Sequence, residues 1–329
     1  MEIFKTLIGN DDIKKTLGVA IASRSFSHAY IIEGASGTGK KTVAKLASAG
    51  ILCESNDACP CGVCRSCQRV LNGLHTDVRF FEITKVDQVR SIKQGLYDSP
   101  NESDYKIYII ENAHKMNVKA QNALLISLEE PPKNVIFFLL TPNAGTLLET
   151  IRSRAQTLKT SYLEKDVIFE HLKSLSTSSL PDEKLEEIVI ASSGSLGYAI
   201  DLLDEKKSQE LLDLRQTALD LTLDALRDDG ESISHMLSLA SMQREELKDL
   251  ISLSLMVLGD IMLVKKSPDA SLYFFTSREK AISIAKQYKM ERLCACHESF
   301  FSAISDLNMN SNASLTLMSI LTNMKKKGK

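Results

Sequence analysis

Tryptophan is absent from this 329-residue chain, and aromatic residues together make up only 6% of it. This scarcity argues against a surface that binds nucleic acid by stacking aromatic rings on bases. An excess of positive charge is also missing, because 40 lysines and arginines are set against 42 aspartates and glutamates. A protein that holds DNA mainly by its own charge is usually more basic. Direct DNA binding is therefore not expected to be the main task of the chain.

Long apolar runs and a leader sequence are lacking as well. The most apolar long stretch, Leu250 to Val264, is interrupted by two serines, Gly259 and Asp260, and fits a buried helix better than a membrane span. The first residues, MEIFKTLIGNDD, have no basic segment before an apolar one, so no signal peptide is expected. These features predict a cytoplasmic protein with no membrane partner.

The composition is that of an ordinary globular protein, with 43% hydrophobic and 25% charged residues. It excludes wholesale disorder, a collagen-like repeat and a coiled-coil rod, and the length suggests two or three domains. In the first 160 residues, four short apolar runs are typical of strands buried on both faces of a parallel sheet. They are Ala29–Ile32, Val78–Phe81, Lys106–Ile110 and Val135–Leu140. Helical patterns at 40–52, 86–97 and 117–129 lie between them, which predicts an α/β layered domain.

The strand signal stops after about residue 163, and only helical patterns follow. A first group of patterns, at 164–175, 181–192 and 196–203, predicts a small helical unit. A second group, at 208–227, 230–242, 244–265, 276–289 and 290–325, predicts a larger one. The lysine-rich end, 325–329, is predicted to be a solvated tail.

A glycine-rich turn, GASGTGKKT at 34–42, stands between the first predicted strand and a helix. Glycines allow backbone N–H groups to wrap a phosphate, and the helix N-terminus favours an anion. The turn predicts a P-loop ancestry, with Gly34, Gly37, Gly39 and Lys40 able to hold phosphates. Active P-loops carry Ser or Thr directly after the lysine as a Mg²⁺ ligand, whereas this chain has Lys41 there. Thr42 comes one residue late, and one helical residue turns a side chain by about 100°.

The acidic residues that should serve catalysis are altered too. The third predicted strand is followed by Glu111 and Asn112. An active ATPase of this kind uses a first acid to hold the metal and a second to polarise the attacking water, and an amide is not a general base. Two independent positions are changed, which predicts a nucleotide-binding fold that has lost hydrolysis. The sequence leaves open whether ATP with Mg²⁺ still binds at Lys40, Thr42 and Glu111.

Five of the seven cysteines lie between Cys53 and Cys67, and the others are Cys294 and Cys296. An odd count without an export signal argues against a disulfide framework and for metal. Two consecutive Cys-x₂-Cys steps, at Cys61, Cys64 and Cys67, place thiolates on one tight turn. A structural zinc site with four sulfur ligands is predicted at 53–67. Cys294 and Cys296 are predicted to lie in a helix.

The order and spacing of many motifs resemble the bacterial clamp-loader subunits of the AAA+ class, in particular the delta-prime family of DNA polymerase III. The resemblance is dense over the first 160 residues, whereas the last 120 match only in being helical and of the right length. The matching stretches are Leu7–Asn10, Ser27–Tyr30, 34–42, the cysteines at 53–67, His75–Asp77, Ile107–Met116, Ala120–Leu125, Leu128–Pro132 and Thr150–Arg154.

The resemblance implies an α/β P-loop AAA+ domain at 1–163, a helical lid at 164–207 and an all-α collar for oligomerisation at 208–329. It implies zinc ligation by Cys53, Cys61, Cys64 and Cys67, with Cys59 left out. It also implies a replisome protein at the nucleoid that helps load the sliding clamp onto primed DNA. The implied partners are gamma or tau and delta subunits in a hetero-pentamer, with clamp and DNA met through the complex.

Two features of the family bear on the role of this chain. Motor subunits have an arginine in the lid where this chain has Gly197, which favours a stator of the delta-prime type. The family's stator supplies an arginine finger in trans, and the matching residue is Arg154, although the following residue is Ala155 rather than cysteine. Arg152 is the rival. The alternatives are an active gamma-type ATPase, in which Thr42 and Glu111 hold Mg²⁺, and a P-loop small-molecule kinase.

Overall fold

The computed structural model describes residues 6–55, 59–175, 180–227, 230–270, 272–275, 277–308 and 311–327. These residues form two compact units. One comprises the residues up to Val167 together with Ser195–Tyr198, and the other comprises Ile168–Gly194 and the residues from Ala199 onward. The predicted division into three domains stays a prediction. In the described part of the chain, no helix has both the length and the apolar character that crossing a bilayer requires.

The first unit is built on a five-stranded parallel sheet with the strand order β2-β3-β4-β1-β5. The strands are β1 Ala29–Glu33, β2 Val78–Glu82, β3 Lys106–Glu111, β4 Val135–Thr141 and β5 Gln156–Lys159. The central strand β4 is buried along its whole length, as its apolar run predicts. The fifth strand was not predicted, because only Leu158 of its four residues is buried and its sequence carries no apolar run.

Helices cover both faces of this sheet. Side chains that alternate along each strand, such as Tyr30 and Ile31, belong to two separate cores. One core packs against α1 Asp11–Ala22, α2 Lys40–Ile51 and α3 Arg65–Leu71. The other packs against α4 Val86–Leu96, α5 Val118–Glu129 and the single turn α6 Glu149–Arg152. The predicted α/β architecture, a parallel sheet with helices on both faces, is confirmed, while α1, α3 and α6 are additions to the prediction.

The second unit is helical, as predicted. Two helices, α7 Lys165–Leu175 and α9 Leu196–Asp201, begin in the first unit and end in the second. The other helices of the second unit are α8 Asp182–Ser192, α10 Glu205–Arg227, α11 Gly230–Ser238, α12 Arg244–Lys266, α13 Arg278–Gln287, α14 Met290–Asn308 and α15 Ala313–Lys327. The pattern at 290–325 is thus two helices. The lysine tail lies partly outside the described residues, since Lys327 is the last of them.

The core of the second unit is apolar and is centred on α10, α12 and α14. Asp260 is an exception, because its carboxylate is buried in this core. It accepts hydrogen bonds from the backbone N–H groups of Tyr273, Phe274 and Phe275 at 2.7–3.0 Å. This one acidic side chain therefore holds the segment between α12 and α13 against the helices, with its charge satisfied by backbone donors.

Candidate functional site

The glycine-rich loop lies where β1 ends, at the carboxyl edge of the sheet and between the ends of β4 and β5. Helix α2 begins at Lys40 directly after the loop, with Gly39 as its N-cap. Gly37 and Gly39 have φ values of 73° and 91°, in the left-handed region that favours glycine. Loop, helix N-terminus and strand end therefore form the anion-binding arrangement that the sequence predicts.

Lys40 is folded onto its own loop. Its Nζ lies 2.6 Å from the carbonyl oxygens of both Gly34 and Ala35. Burial lowers the pKa of this ammonium below its usual value. Lys40 thus stands at the place where a P-loop lysine meets phosphate oxygens, and the loop carbonyls are its partners in this arrangement.

The next residue, Lys41, forms an ion pair with Glu111, and the distance from its Nζ to the carboxylate Oε1 is 2.7 Å. The amide of Asn112 donates to the carboxylate of Glu82 at 3.0 Å. Thr42 is exposed on the following position of α2. A Mg²⁺ ion would need the hydroxyl that Lys41 replaces and a carboxylate free of an ammonium. The residues at these two positions therefore do not fit a P-loop magnesium site.

Ser195 and the first turn of α9, together called the α9 segment (Ser195–Tyr198), cover the loop. The hydroxyl of Ser195 donates to the carbonyl oxygen of Ser36 at 3.1 Å, and the N–H of Gly197 donates to that of Gly37 at 2.9 Å. A Cβ atom at position 197 would lie 2.9 Å from both the Cα and the carbonyl oxygen of Gly37. The backbones of Gly197 and Gly37 therefore approach so closely that a side chain at position 197 does not fit. Glycine at this position has a packing role in addition to removing the arginine of motor subunits.

Two threonines at this edge were missed from the sequence. Thr141 is the buried last residue of β4, next to the P-loop strand, and its hydroxyl donates to the carbonyl oxygen of Asn143. Thr160 follows β5, and its hydroxyl lies 2.7 Å from that of Thr38 in the loop. A polar residue at the end of an apolar run was the available signal for Thr141. Thr160 had none, because β5 was not predicted.

The four cysteines implied as zinc ligands come together. The Sγ atoms of Cys53, Cys61, Cys64 and Cys67 all lie within 4.8 Å of one another. Tetrahedral Zn²⁺ with bonds of about 2.3 Å separates its sulfurs by about 3.8 Å, so these side chains fit the ion after a small contraction. The thiol of Cys59 donates to the carbonyl oxygen of Ser55 at 2.6 Å.

The cysteine cluster is supplied with backbone donors. The N–H groups of Cys61, Cys64 and Cys67 point at the sulfurs of Cys53, Cys61 and Cys64 at 3.4–3.5 Å. Burial acts to raise the pKa of the Cys61 thiol, but hydrogen bonds from Cys64 and Val63 outweigh it and lower the pKa to about 7. Burial raises the pKa of Cys53 and Cys67, so a positive ion is what would keep all four sulfurs ionised together.

The cysteines at the other end of the chain differ from this cluster. Cys294 and Cys296 lie on α14, as predicted, and Cys296 is fully buried. Burial raises the pKa of the Cys296 thiol to about 12. This is the environment of an inert core cysteine rather than a reactive or metal-binding one.

A second group of titratable side chains, made of His75, Asp77 and Glu102, has a structural role. Asp77 is buried and accepts four hydrogen bonds, from the N–H groups of Asn101 and Glu102, the amide of Asn101 and the hydroxyl of Ser103. His75 accepts the N–H of Asp77 and lies 3.3 Å from the hydroxyl of Ser66. Asp77 thus joins the start of β2 to the loop before β3, and His75 adds the contact with Ser66 of the cysteine module.

Arg154 lies at the end of the sheet where the strands begin, opposite the end that carries the P-loop. It precedes β5, whose last residue Lys159 pairs with Glu33 at the start of the loop. Its guanidinium forms an ion pair with Glu129 at 3.0 Å and donates to the carbonyl oxygen of Thr150. The two charged side chains are 37% and 44% exposed, so the ion pair is a weak one that another partner can displace.

The chain is similar to known proteins. Residues 9–164 match the sequence model of the family described as DNA polymerase III, delta subunit. The chain is 28% identical to the DNA polymerase III subunit gamma of Buchnera aphidicola (Schizaphis graminum) over 97% of this chain and 94% of that protein. It is 36% identical to the delta-prime subunit of Bacillus subtilis over 49% of this chain and 50% of that protein. The chain is therefore similar to subunits of DNA polymerase III. Its tau relative in Bacillus subtilis is 33% identical, but the chain spans only 37% of that relative's length.

The chain is also similar to solved structures. A gamma-subunit-related protein of Thermotoga maritima aligns with 96% of the chain and 99% of its own length, at 18% identity and a TM-score of 0.37. The Holliday junction branch migration motor RuvB of the same organism aligns with 59% of the chain and 60% of its own length, at 22% identity and a TM-score of 0.42.

Proposed function

We propose that this chain is a clamp-loader stator of the delta-prime type, which helps place a sliding clamp on primed DNA. It does not hydrolyse ATP itself and supplies Arg154 to the ATP site of a neighbouring subunit. The observation that carries the proposal is the ion pair between Lys41 and Glu111. With Asn112 unable to accept a proton, the chain's own site lacks a magnesium ligand and a general base.

The position of Arg154 supports action in trans. The five residue steps from Arg154 to Lys159 span up to about 17 Å, and Lys159 lies beside the strand that leads into the P-loop. An arginine side chain does not cross that distance to its own loop. A half-exposed guanidinium with a displaceable partner is available to a phosphate on another chain, and its planar fork matches phosphate oxygens.

The remaining parts of the proposal follow from the family. The helices from residue 208 onward form a collar that joins gamma or tau and delta subunits into a hetero-pentamer. The clamp and the DNA are met through that complex, at the nucleoid in the cytoplasm. Zn²⁺ held by Cys53, Cys61, Cys64 and Cys67 is structural, since four sulfur ligands leave no open coordination position.

A gamma-type ATPase is the second candidate, and the relatives favour it more than the stator. The gamma relative aligns over nearly the whole of both chains, whereas the delta-prime relative aligns over about half of each. In this candidate Lys41 releases Glu111, and Thr42 and Glu111 hold Mg²⁺. The purified chain alone separates the two, because only the ATPase would turn over ATP when DNA and clamp are added.

The stator role is tested by reconstitution with gamma or tau, delta and the clamp. DNA-stimulated ATP hydrolysis is measured with the wild-type chain, with Arg154→Ala and with Arg152→Ala. Because removal of an arginine finger costs about 10³–10⁵-fold in well-studied nucleotidases, Arg154→Ala should depress turnover at the adjacent site while the complex still assembles. Arg152→Ala should leave turnover near the wild-type value. Unchanged turnover with Arg154→Ala refutes the assignment, and a loss only with Arg152→Ala transfers the role to that residue.

A further inference from the structure

The pair formed by Lys41 and Glu111 joins the two positions that hold Mg²⁺ together in active P-loop proteins. One position is the residue after the loop lysine, and the other is the acid at the end of another strand of the sheet. In this chain a lysine ammonium lies 2.7 Å from that acid. A positive charge therefore stands between the positions from which a magnesium ion would be held.

The ammonium of Lys41 is also held from the other side. It lies 5.3 Å from the centre of the Phe80 ring on β2, within the range of a cation–π contact. Its side chain is 54% exposed, so it remains open to a ligand at the mouth of the loop. Lys40, the preceding residue, supplies a second ammonium from inside the loop. A phosphate chain would thus meet two cations and a helix N-terminus without a metal.

The contacts of the α9 segment do not compete with a phosphate. Ser195 and Gly197 both bond to carbonyl oxygens of the loop, those of Ser36 and Gly37. A phosphate uses the N–H groups of a P-loop instead. The covered loop is therefore compatible with a bound anion.

We propose that the loop binds the polyphosphate of a nucleoside diphosphate or triphosphate in its metal-free form, with the Lys41 ammonium taking the place of Mg²⁺. The proposal rests on the proposed loss of hydrolysis, because a site without magnesium and without a general base holds nucleotide but does not cleave it. Glu111 acts as a positioning residue, which aims Lys41 at the outer phosphates. A bound nucleotide would then leave the site by dissociation rather than by hydrolysis.

The proposal is tested by measuring the affinity of the full-length chain for ADP and ATP, by titration calorimetry, with Mg²⁺ and with EDTA. The wild-type affinity should change by less than about twofold between the two buffers. Lys41→Thr restores a hydroxyl and frees Glu111. In EDTA its affinity for nucleotide should fall about 10- to 100-fold, as expected for the loss of one charge-assisted hydrogen bond. Addition of Mg²⁺ should restore that affinity. Lys45→Thr is the matched control, because Lys45 also lies over Phe80 but has no ion pair with Glu111.

Two results overturn the proposal. One is a wild-type chain that requires Mg²⁺ for binding, which would favour the gamma-type site. The other is no binding in either buffer, which would mean that the Lys41–Glu111 pair closes the loop. The wild-type comparison needs no variant, so misfolding of Lys41→Thr does not obscure the outcome. Neither result affects the test of Arg154 in the reconstituted complex, so failure of this proposal and failure of the stator role are distinguishable.

Discussion

Replacing Gly197 by alanine tests whether the α9 segment closes on the P-loop through direct backbone contact. Within a helix this change normally stabilises, because alanine is about 0.5–1 kcal/mol more favourable than glycine. At position 197, however, the new Cβ would lie 2.9 Å from the Cα and the carbonyl oxygen of Gly37. Backbone atoms do not move aside cheaply, so the segment must shift away from the loop.

The cost of that shift follows from two hydrogen bonds. The bonds from Gly197 to Gly37 and from Ser195 to Ser36 would lengthen or break, and each contributes about 0.5–1.5 kcal/mol. After the gain in helix propensity is subtracted, the packed position of the α9 segment on the loop is destabilised by roughly 0.5–2 kcal/mol. Amide hydrogen exchange at Tyr198, whose N–H bonds to the Ser195 hydroxyl, should accelerate by roughly 2- to 30-fold.

Gly259→Ala provides the matched control. Gly259 lies inside α12, and a Cβ there would meet nothing within 4 Å. The free energy of unfolding of this variant in urea should rise by about 0.5–1 kcal/mol, because alanine has a higher helix propensity than glycine. It should leave exchange at Tyr198 unchanged. If Gly197→Ala behaved like Gly259→Ala, with unchanged exchange and higher stability, the close approach of Gly197 to Gly37 would be refuted.

Three further predictions concern the cysteine module and the two buried carboxylates. Cys64→Ser should lose about one zinc ion per chain in metal analysis while Cys59→Ser keeps it; equal content in both would contradict the ligand set. Asp77→Asn should destabilise by about 2–4 kcal/mol in urea unfolding, because four donors lose a charged acceptor. Burial acts to raise the pKa of Asp77, but those donors outweigh it and lower the pKa below 3.8. The contribution of Asp77 to the free energy of unfolding should thus be fully present above pH 3.8 and be lost as the pH falls through its lowered pKa. A loss of this contribution that is already complete above pH 3.8 would contradict the prediction. Asp260→Asn should cost about 2–4 kcal/mol, because three backbone N–H groups share its carboxylate; a stability equal to wild type would show that a neutral acceptor suffices.

Much of the sheet unit could be predicted from the sequence, because its central strands are buried on both faces. The runs at β1, β3 and β4 are almost wholly apolar, and each forms a strand in the structure. Strand β5 lies at the sheet edge and α3 is a single short helix inside the cysteine cluster. Neither buries enough side chains to produce a periodic signal. Helix α1 did carry one, since Ile13, Leu17 and Ile21 are buried at helical spacing.

The sequence by itself determined which chemical groups this protein has and which it lacks. A lysine after the loop lysine, an amide after Glu111 and a glycine at position 197 are covalent facts, and they remove a metal ligand, a base and a cation in any fold. Only the tertiary structure decided what those residues do instead. Lys41 meets Glu111, Gly197 meets Gly37 and Arg154 lies at the far edge from the loop, because the parallel strand order brings remote segments to one edge or separates them. Such pairings depend on register and packing between elements, which local sequence patterns do not encode.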